Sequence, residues 1–406
     1  MKYRTRIIEK KVIELFGHFP VVAVLGVRQV GKTTLVEHLP IPGLKSVVFD
    51  PVQDVMGARS DPDLFLQNQP RPLFLDEIQF APELLPAIKR EVDRKRKAGL
   101  FIISGSQNLM VHKQVAESLA GRVAIVHLLP MSWCELSAVS PVPGLLERLV
   151  FEGPEFFRRK QPPSGQPPGI FRAMWRGGMP GTLDLPDHLL HDFFSSYFQS
   201  YVERDVRTSA AVSSLQQFGR LFGLLAALTS GQTNHNKLGR ELGIDRKTAK
   251  AWVEIAISTF QWFELPAYSR NPVKRVASKP KGYISDTGMA CYLQRLGSAD
   301  ALAASPLAGA MFETYVVLEI MKRSAAWPVR PGMFHFRTHV GAEIDLVLEL
   351  NGVLHPVEAK LTTNPRRRDC RAFDSFRAVF PEARVGLGFV VCCCEQPFFL
   401  RPDTVA

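Results

Sequence analysis

The sequence predicts a multidomain α/β protein with a parallel sheet in its first third, a helical middle segment and a second, independent α/β domain at its C-terminal end. Three observations predict it. Short apolar runs recur between residues 21 and 128, spaced widely enough for crossover helices. From about residue 131 the pattern turns helical and aromatic, and in the last hundred residues strand-like runs return. At 406 residues the chain also exceeds one ordinary core, since domains run to roughly 100–200 residues each.

The elements follow in order. VVAVL (21–25) is a short apolar run ending at a glycine, and GKTTLVEHL after it carries Leu35, Val36 and Leu39 at helical spacing, which reads as strand, loop, helix. SVVFD (46–50), PLFLD (72–76), LFIIS (100–104) and VAIVHL (123–128) supply further strands of a parallel sheet over residues 1–130. Residues 131–212 read as a helical lid and linker, interrupted by QPPSGQPPG (161–169), a flexible loop by its Pro and Gly. Residues 213–300 read as three helices: FGRLFGLLAAL, NKLGRELG and one opening at Asp245 or Arg246, the spacing of a helix-turn-helix. PAYSRNPVKRVASKPKGYISD then suits an extended wing or hairpin. Residues 301–406 return to strands at FHFRT, EIDLVLEL and LHPVEAKL, then an amphipathic helix near FDSFRAVF and the strand VGLGFVVCC.

Composition bounds the function classes. An apolar fraction of 46% with 22% charged residues is that of an ordinary folded protein. The opening MKYRTRIIEK lacks an apolar stretch behind it, and no window approaches the roughly 18 apolar residues of a spanning helix, so the chain reads as cytoplasmic with no membrane partner. Six cysteines, at 134, 291, 370 and 392–394, lack paired CxxC spacing and read as reduced thiols. A formal charge of +11 favours an acidic polymer as partner, and the partner expected is nucleic acid, with DNA favoured.

Gly26, Val27, Arg28, Gln29, Val30, Gly31, Lys32 and Thr33 satisfy GxxxxGK[ST] after a strand and before a helix, the P-loop pattern, with Thr34 next to it. Glycines let successive N–H groups turn toward phosphate oxygens, Lys32 neutralises the β and γ phosphates of ATP, and Thr33 offers a hydroxyl to Mg²⁺. Asp76, ending the strand LFLD, is the second magnesium contact, and Glu77 is placed to activate water. Ser104 and Ser106 either report the γ-phosphate or cap a turn. Arg122 and Arg204 are either transition-state cations, in cis or from a neighbouring subunit of a homo-oligomer, or ordinary ion-pair partners. In the middle segment Arg246, Lys247 and Lys250 open the presumed recognition helix, and Lys274, Arg275, Lys279 and Lys281 extend the base into the wing, either to hold nucleic-acid phosphates or as a solvated face. Trp252, Phe260, Trp262 and Phe263 read as core.

GVRQVGKTTL, LFLDEIQ, IISGSQNL, LAGRV, YVERDV, GAEIDLVLE and PVEAK together resemble a prokaryotic AAA family of ATP-binding proteins across nearly the whole chain. The resemblance implies an AAA-type ATPase core, a winged-helix middle and a C-terminal domain similar to the PD-(D/E)XK nuclease fold, itself a domain of unknown function. It maps the Walker positions onto Lys32, Thr33, Asp76 and Glu77 and implies oligomerisation weakly. In the C-terminal domain Asp345, Glu358 and Lys360 supply the acids and lysine of a metal-dependent nuclease. Glu358 and Lys360 share a strand face, and Asp345 lies across an Asn351-Gly352 turn. Glu313 resembles the helical acid that completes such a site. The expectation is an ATP-hydrolysing protein acting on nucleic acid, with metal-dependent cleavage by Glu313, Asp345, Glu358 and Lys360. The alternatives are an ATP-gated DNA-binding regulator without cleavage and a signalling or protein-remodelling ATPase.

Overall fold

A computed structural model describes residues 3–105, 119–139, 143–158, 169–202, 206, 212, 214–271, 273, 278–339 and 341–406. Ser106, Arg204, Lys274, Arg275 and most of the 161–169 loop lie outside the described residues.

The first unit is a five-stranded sheet of β1 (Val21–Leu25), β2 (Lys45–Val48), β3 (Leu73–Asp76), β4 (Phe101–Gly105) and β5 (Val123–His127), in the order β2-β3-β4-β1-β5 with every pairing parallel. Strand β1 is buried along its whole length, as a central parallel strand covered on both faces must be. Its alternation divides two cores. Val22 and Val24 face one cluster, while Val21, Ala23 and Leu25 face another with Leu75 and Ile103. Helix α1 (Glu9–His18) leads into β1, and α2 (Lys32–Glu37) follows the loop after it. Helices α3 (Pro62–Gln67) and α4 (Leu84–Lys95) lie against the second cluster, α4 burying Leu84, Leu85, Ile88 and Val92 at helical spacing.

Helices α5 (Trp133–Leu136), α6 (Ile170–Arg176) and α7 (Leu190–Tyr201) follow, and α6 and α7 bury side chains in the cluster that includes Val22 and Val24. The middle unit then runs α8 (Leu215–Ala227), β6 (Gly231–Gln232), α9 (His235–Leu242), α10 (Arg246–Ser258), β7 (Trp262–Leu265) and β8 (Lys281–Ile284). Each helix start carries its own stop signal for the preceding chain. The side chains of Ser214, Asn234 and Asp245 accept hydrogen bonds from the first-turn N–H groups of α8, α9 and α10. The three strands pair antiparallel in the order β6-β8-β7, so β8 is central and buried at all four positions.

After α11 (Thr287–Leu293) and the long α12 (Ala308–Ser324), the C-terminal unit builds a seven-stranded mixed sheet. Its principal strands are β9 (Gly332–Arg337), β10 (Glu343–Leu350) and β11 (Val353–Ala359), and β10 and β11 form a hairpin across Asn351 and Gly352, both at positive φ. Helix α13 (Arg371–Val379) packs Phe373 and Phe376 onto this sheet. One apolar cluster runs from Val22 and Val24 through Phe218, Trp252 and Tyr283 to Leu346, so the three units share a continuous core. The sequence-derived fold class holds: mixed α/β, with a parallel sheet, a helical middle and a C-terminal sheet domain. Trp252 and Trp262 are buried, as their placement along α10 and its exit required.

Candidate functional site

The loop from Gly26 to Gly31 leaves the C-terminal end of β1, where an open parallel sheet binds its ligands. Two of its glycines are obligatory for different reasons. A Cβ on Gly26 would sit 2.2 Å from the Leu128 carbonyl oxygen, and Gly31, which precedes α2, has φ +91°. Lys32 is buried, its ammonium donating to the carbonyls of Gly26 (3.1 Å) and Val27 (3.0 Å), so it lies across the loop. Thr33 donates its hydroxyl to Asp76 Oδ2 at 2.5 Å, which joins two positions 43 residues apart. The other Asp76 oxygen accepts from Ser104 Oγ and from the Glu77 backbone N–H (3.1 Å). Glu77 itself has φ +57°, a left-handed conformation uncommon for a residue other than glycine, and Gln79 donates to its carboxylate.

Ser104, weighed as a γ-phosphate sensor, spends its hydroxyl on Asp76 and accepts the Glu77 N–H at 3.2 Å, so it orients the acidic strand end. Within the chain Arg122 pairs with Asp93 at 2.5 Å and donates to the Ala120 carbonyl. Sequence reading missed Arg6 altogether. Its guanidinium, 5% exposed, donates to the carbonyls of Val30 (2.9 Å) and Leu129 (2.7 Å) and to Glu135 (3.1 Å), clamping the N-terminal segment onto the loop. The one visible signal was Ser132-x-x-Glu135, a capping box that announces α5 but not its arginine partner. Beside the loop a cavity of about 300 Å³ is bounded by Tyr3, Arg6, Gly31, Met131, Pro180 and Leu183.

The C-terminal residues singled out by sequence do converge. Glu313 on α12, Asp345 on β10 and Glu358 on β11 meet, with Lys360 bound to Glu358 at 2.6 Å. Asp345 Oδ2 also accepts the Ala359 N–H at 3.0 Å. Burial together with the Asp345 charge pushes Glu313 up to about 8 and Glu358 up to about 7. The Lys281 assignment is corrected. It belongs to no exposed wing: β8 is the central strand of its sheet, and the Lys281 ammonium, 2% exposed, lies 2.7 Å from Glu313, 2.8 Å from Glu343 and 2.9 Å from Asp345. Burial alone would lower its pKa, but the surrounding carboxylates outweigh that and raise it. A divalent cation does not fit these acids as they stand, because an ammonium already occupies the space between them. Among the described residues no group of three or more His, Cys, Asp or Glu side chains is arranged to hold a metal ion.

Exposed bases among the described residues of the middle unit include Lys237, Arg240, Arg246, Lys247, Lys250 and Lys279; Lys250 lies 3.6 Å from Glu254. No helix among the described residues is long and apolar enough to cross a membrane, and all six cysteines are free thiols.

Comparison with known proteins adds the following. Residues 18–137 match the family model of an AAA domain, residues 168–300 a domain of unknown function (DUF8612) and residues 308–405 a second domain of unknown function (DUF4143). The chain is 29% identical over 350 residues to uncharacterized proteins of Mycobacterium tuberculosis and Mycobacterium bovis, covering 85% of this chain and 71% of each relative. Similar solved structures include the Holliday junction branch migration motor RuvB of Thermotoga maritima (14% identity, TM-score 0.31, 69% of this chain and 92% of that one). Another is a signal-transduction ATPase with a tetratricopeptide repeat sensor from Pyrococcus horikoshii (13% identity, TM-score 0.30, 78% and 48%). Residues 18–137 are thus similar to an AAA domain.

Proposed function

We propose that this chain is an ATP-driven switch: its N-terminal domain binds and hydrolyses MgATP, and the nucleotide state sets how its middle unit engages nucleic acid, without cleavage. The observation that carries the reading is the hydrogen bond from Thr33 to Asp76, with Lys32 folded over the loop on one side and Glu77 next to Asp76 on the other. A hydroxyl and a carboxylate oxygen converging beside a nest of backbone donors is an oxygen-ligand set that fits the Mg²⁺ travelling with the triphosphate. Lys32 exchanges the Gly26 and Val27 carbonyls for phosphate oxygens. Glu77 orients water for attack on the γ-phosphorus and takes its proton, and Ser104 holds Asp76 in place. The cavity between Tyr3, Met131, Pro180 and Leu183 suits the flat apolar faces of adenine.

For the middle unit, the order helix, strand, helix, helix, hairpin with the first strand added to the hairpin supports a winged-helix module. The exposed Arg246, Lys247 and Lys250 at the start of α10 are the bases that module would present to phosphates. Lys281 within the C-terminal acids supports the reading without cleavage over the nuclease.

The test combines ATP turnover with filter binding of DNA and RNA at two salt concentrations. Glu77→Gln should retain ATP binding and lose about 10²–10⁴-fold in turnover. The Arg246→Ala, Lys247→Ala, Lys250→Ala triple variant should hydrolyse ATP normally, bind DNA more weakly and lower the slope of log affinity against log salt by about 2–3. Wild-type protein with no magnesium-dependent ATP turnover refutes the first half. Normal turnover with no salt-dependent affinity for DNA or RNA refutes the second and favours a signalling or protein-remodelling ATPase.

A further inference from the structure

The acids of the C-terminal domain, the Lys281 strand and the segment joining them form one assembly. Strand β8 enters it with Lys281 and Tyr283 on the same face, two residues apart. Lys281 reaches Glu313, Glu343 and Asp345, and the Tyr283 hydroxyl donates to Glu313 at 2.8 Å. The opposite face is closed, because a Cβ on Gly282 would lie 2.0 Å from the Trp262 ring, so β8 cannot turn over without unpacking its sheet. The chain leaving β7 is also stitched to the C-terminal sheet. Ala267 bridges His335 on β9, the Tyr268 N–H donates to the His335 carbonyl (2.7 Å) and the His335 N–H to the Pro266 carbonyl (3.0 Å). His335 Nε2 meets the Lys279 carbonyl at 3.1 Å, which fixes the approach to Lys281.

We infer that the C-terminal acidic cluster is a socket for a cation supplied by the chain itself: the Lys281 ammonium, delivered from the middle unit, joins the two units and excludes a divalent metal ion from Glu313, Asp345 and Glu358. Two further observations support it. Three carboxylates within 2.9 Å of one ammonium give a contact set of the kind a bound cation makes. Glu358 uses one oxygen on Lys360, while its buried Oε2 has no hydrogen-bond partner among the described residues, an acceptor open to a metal ion once Lys281 is removed. A tethered competitor acts at the high effective concentration of an intramolecular ligand, so a free ion at ordinary concentration does not displace it. Removing the lysine leaves uncompensated buried carboxylates, and those attract a metal.

Binding of Mn²⁺ to the full chain without nucleotide, followed by loss of the free-ion EPR signal, tests this. The proteins are wild type, Lys281→Met and each combined with Asp345→Asn, which separates this site from any other. Wild type should show no Asp345-dependent binding. Lys281→Met, confirmed folded by circular dichroism, should gain Mn²⁺ binding that Asp345→Asn weakens at least about tenfold. If the single variant does not fold, Lys281→Met with Glu313→Gln, which removes one charge of each sign, serves in the same comparison. Asp345-dependent binding by wild type as tight as by the variant overturns the inference, as does a folded variant that gains none.

Discussion

Replacing Arg6 by methionine keeps most of the side-chain volume and deletes the charge, which isolates the clamp between the N-terminal segment and the phosphate loop. In the folded chain the Arg6 guanidinium is 5% exposed and makes three hydrogen bonds: to Val30, a loop carbonyl, to Leu129 and to Glu135. Glu135 is 6% exposed and keeps its other donors, the Ile7 N–H (2.6 Å) and the Ser132 N–H (2.6 Å). The variant therefore strands a buried carboxylate only in part and leaves two backbone carbonyls short of a donor. Breaking a buried ion pair costs about 3–5 kcal/mol, and the surviving donors put this case at the lower end, about 3 kcal/mol. At about 2–4 °C per kcal/mol for a domain of this size, the first unfolding transition falls by roughly 6–12 °C. Differential scanning calorimetry measures that shift, and titration with a fluorescent ATP analogue measures the loop, whose affinity falls because Val30 loses its anchor next to Gly31. A transition lowered by less than about 1 °C with unchanged nucleotide affinity would refute the clamp and return Arg6 to the status of surface charge.

Gly26→Ala should abolish nucleotide binding while leaving the C-terminal domain folded, because the new Cβ meets a backbone oxygen 2.2 Å away and only the loop can give; equilibrium dialysis with ATP checks it, and retained affinity would contradict the steric account. Stability should fall as pH rises through the window from the ordinary carboxylate range to about 8. Glu358 and Glu313 are raised to about 7 and about 8, so the folded state holds protons that the unfolded chain has released, and raising the pH withdraws that contribution. Unfolding followed between pH 5 and 9 measures the slope, which Glu358→Gln should flatten; an unchanged slope in the variant would assign it to other groups.

The parts of the protein legible in the sequence are those encoded by contiguous residues. The phosphate loop needs a buried strand, two glycines, a lysine and a threonine in immediate succession, and backbone geometry then fixes where they point. The acid pair Asp76-Glu77 was readable because a buried strand ends beside it, and α9 and α10 were readable from capping residues and apolar spacing. The approach of Asp345 to Glu358 was legible once a hairpin turn and a strand face had been recognised, whereas Glu313 was reached only through the family resemblance.

What only the tertiary structure decided are contacts between residues whose local sequence carries no trace of the partner. Lys281 sits in a stretch rich in base, where composition argues for an exposed wing, yet strand order makes β8 central and its lysine enters an acidic cluster 32 to 64 residues further along the chain. Arg6 reads as one charge among several near the N-terminus, and only folding brings it to Glu135, 129 residues away. Local propensity and periodicity set which residues share an element and a face. Which cation meets which carboxylate depends on how the buried faces of separate units pack, because a charge can be buried only where the fold supplies its counter-charge.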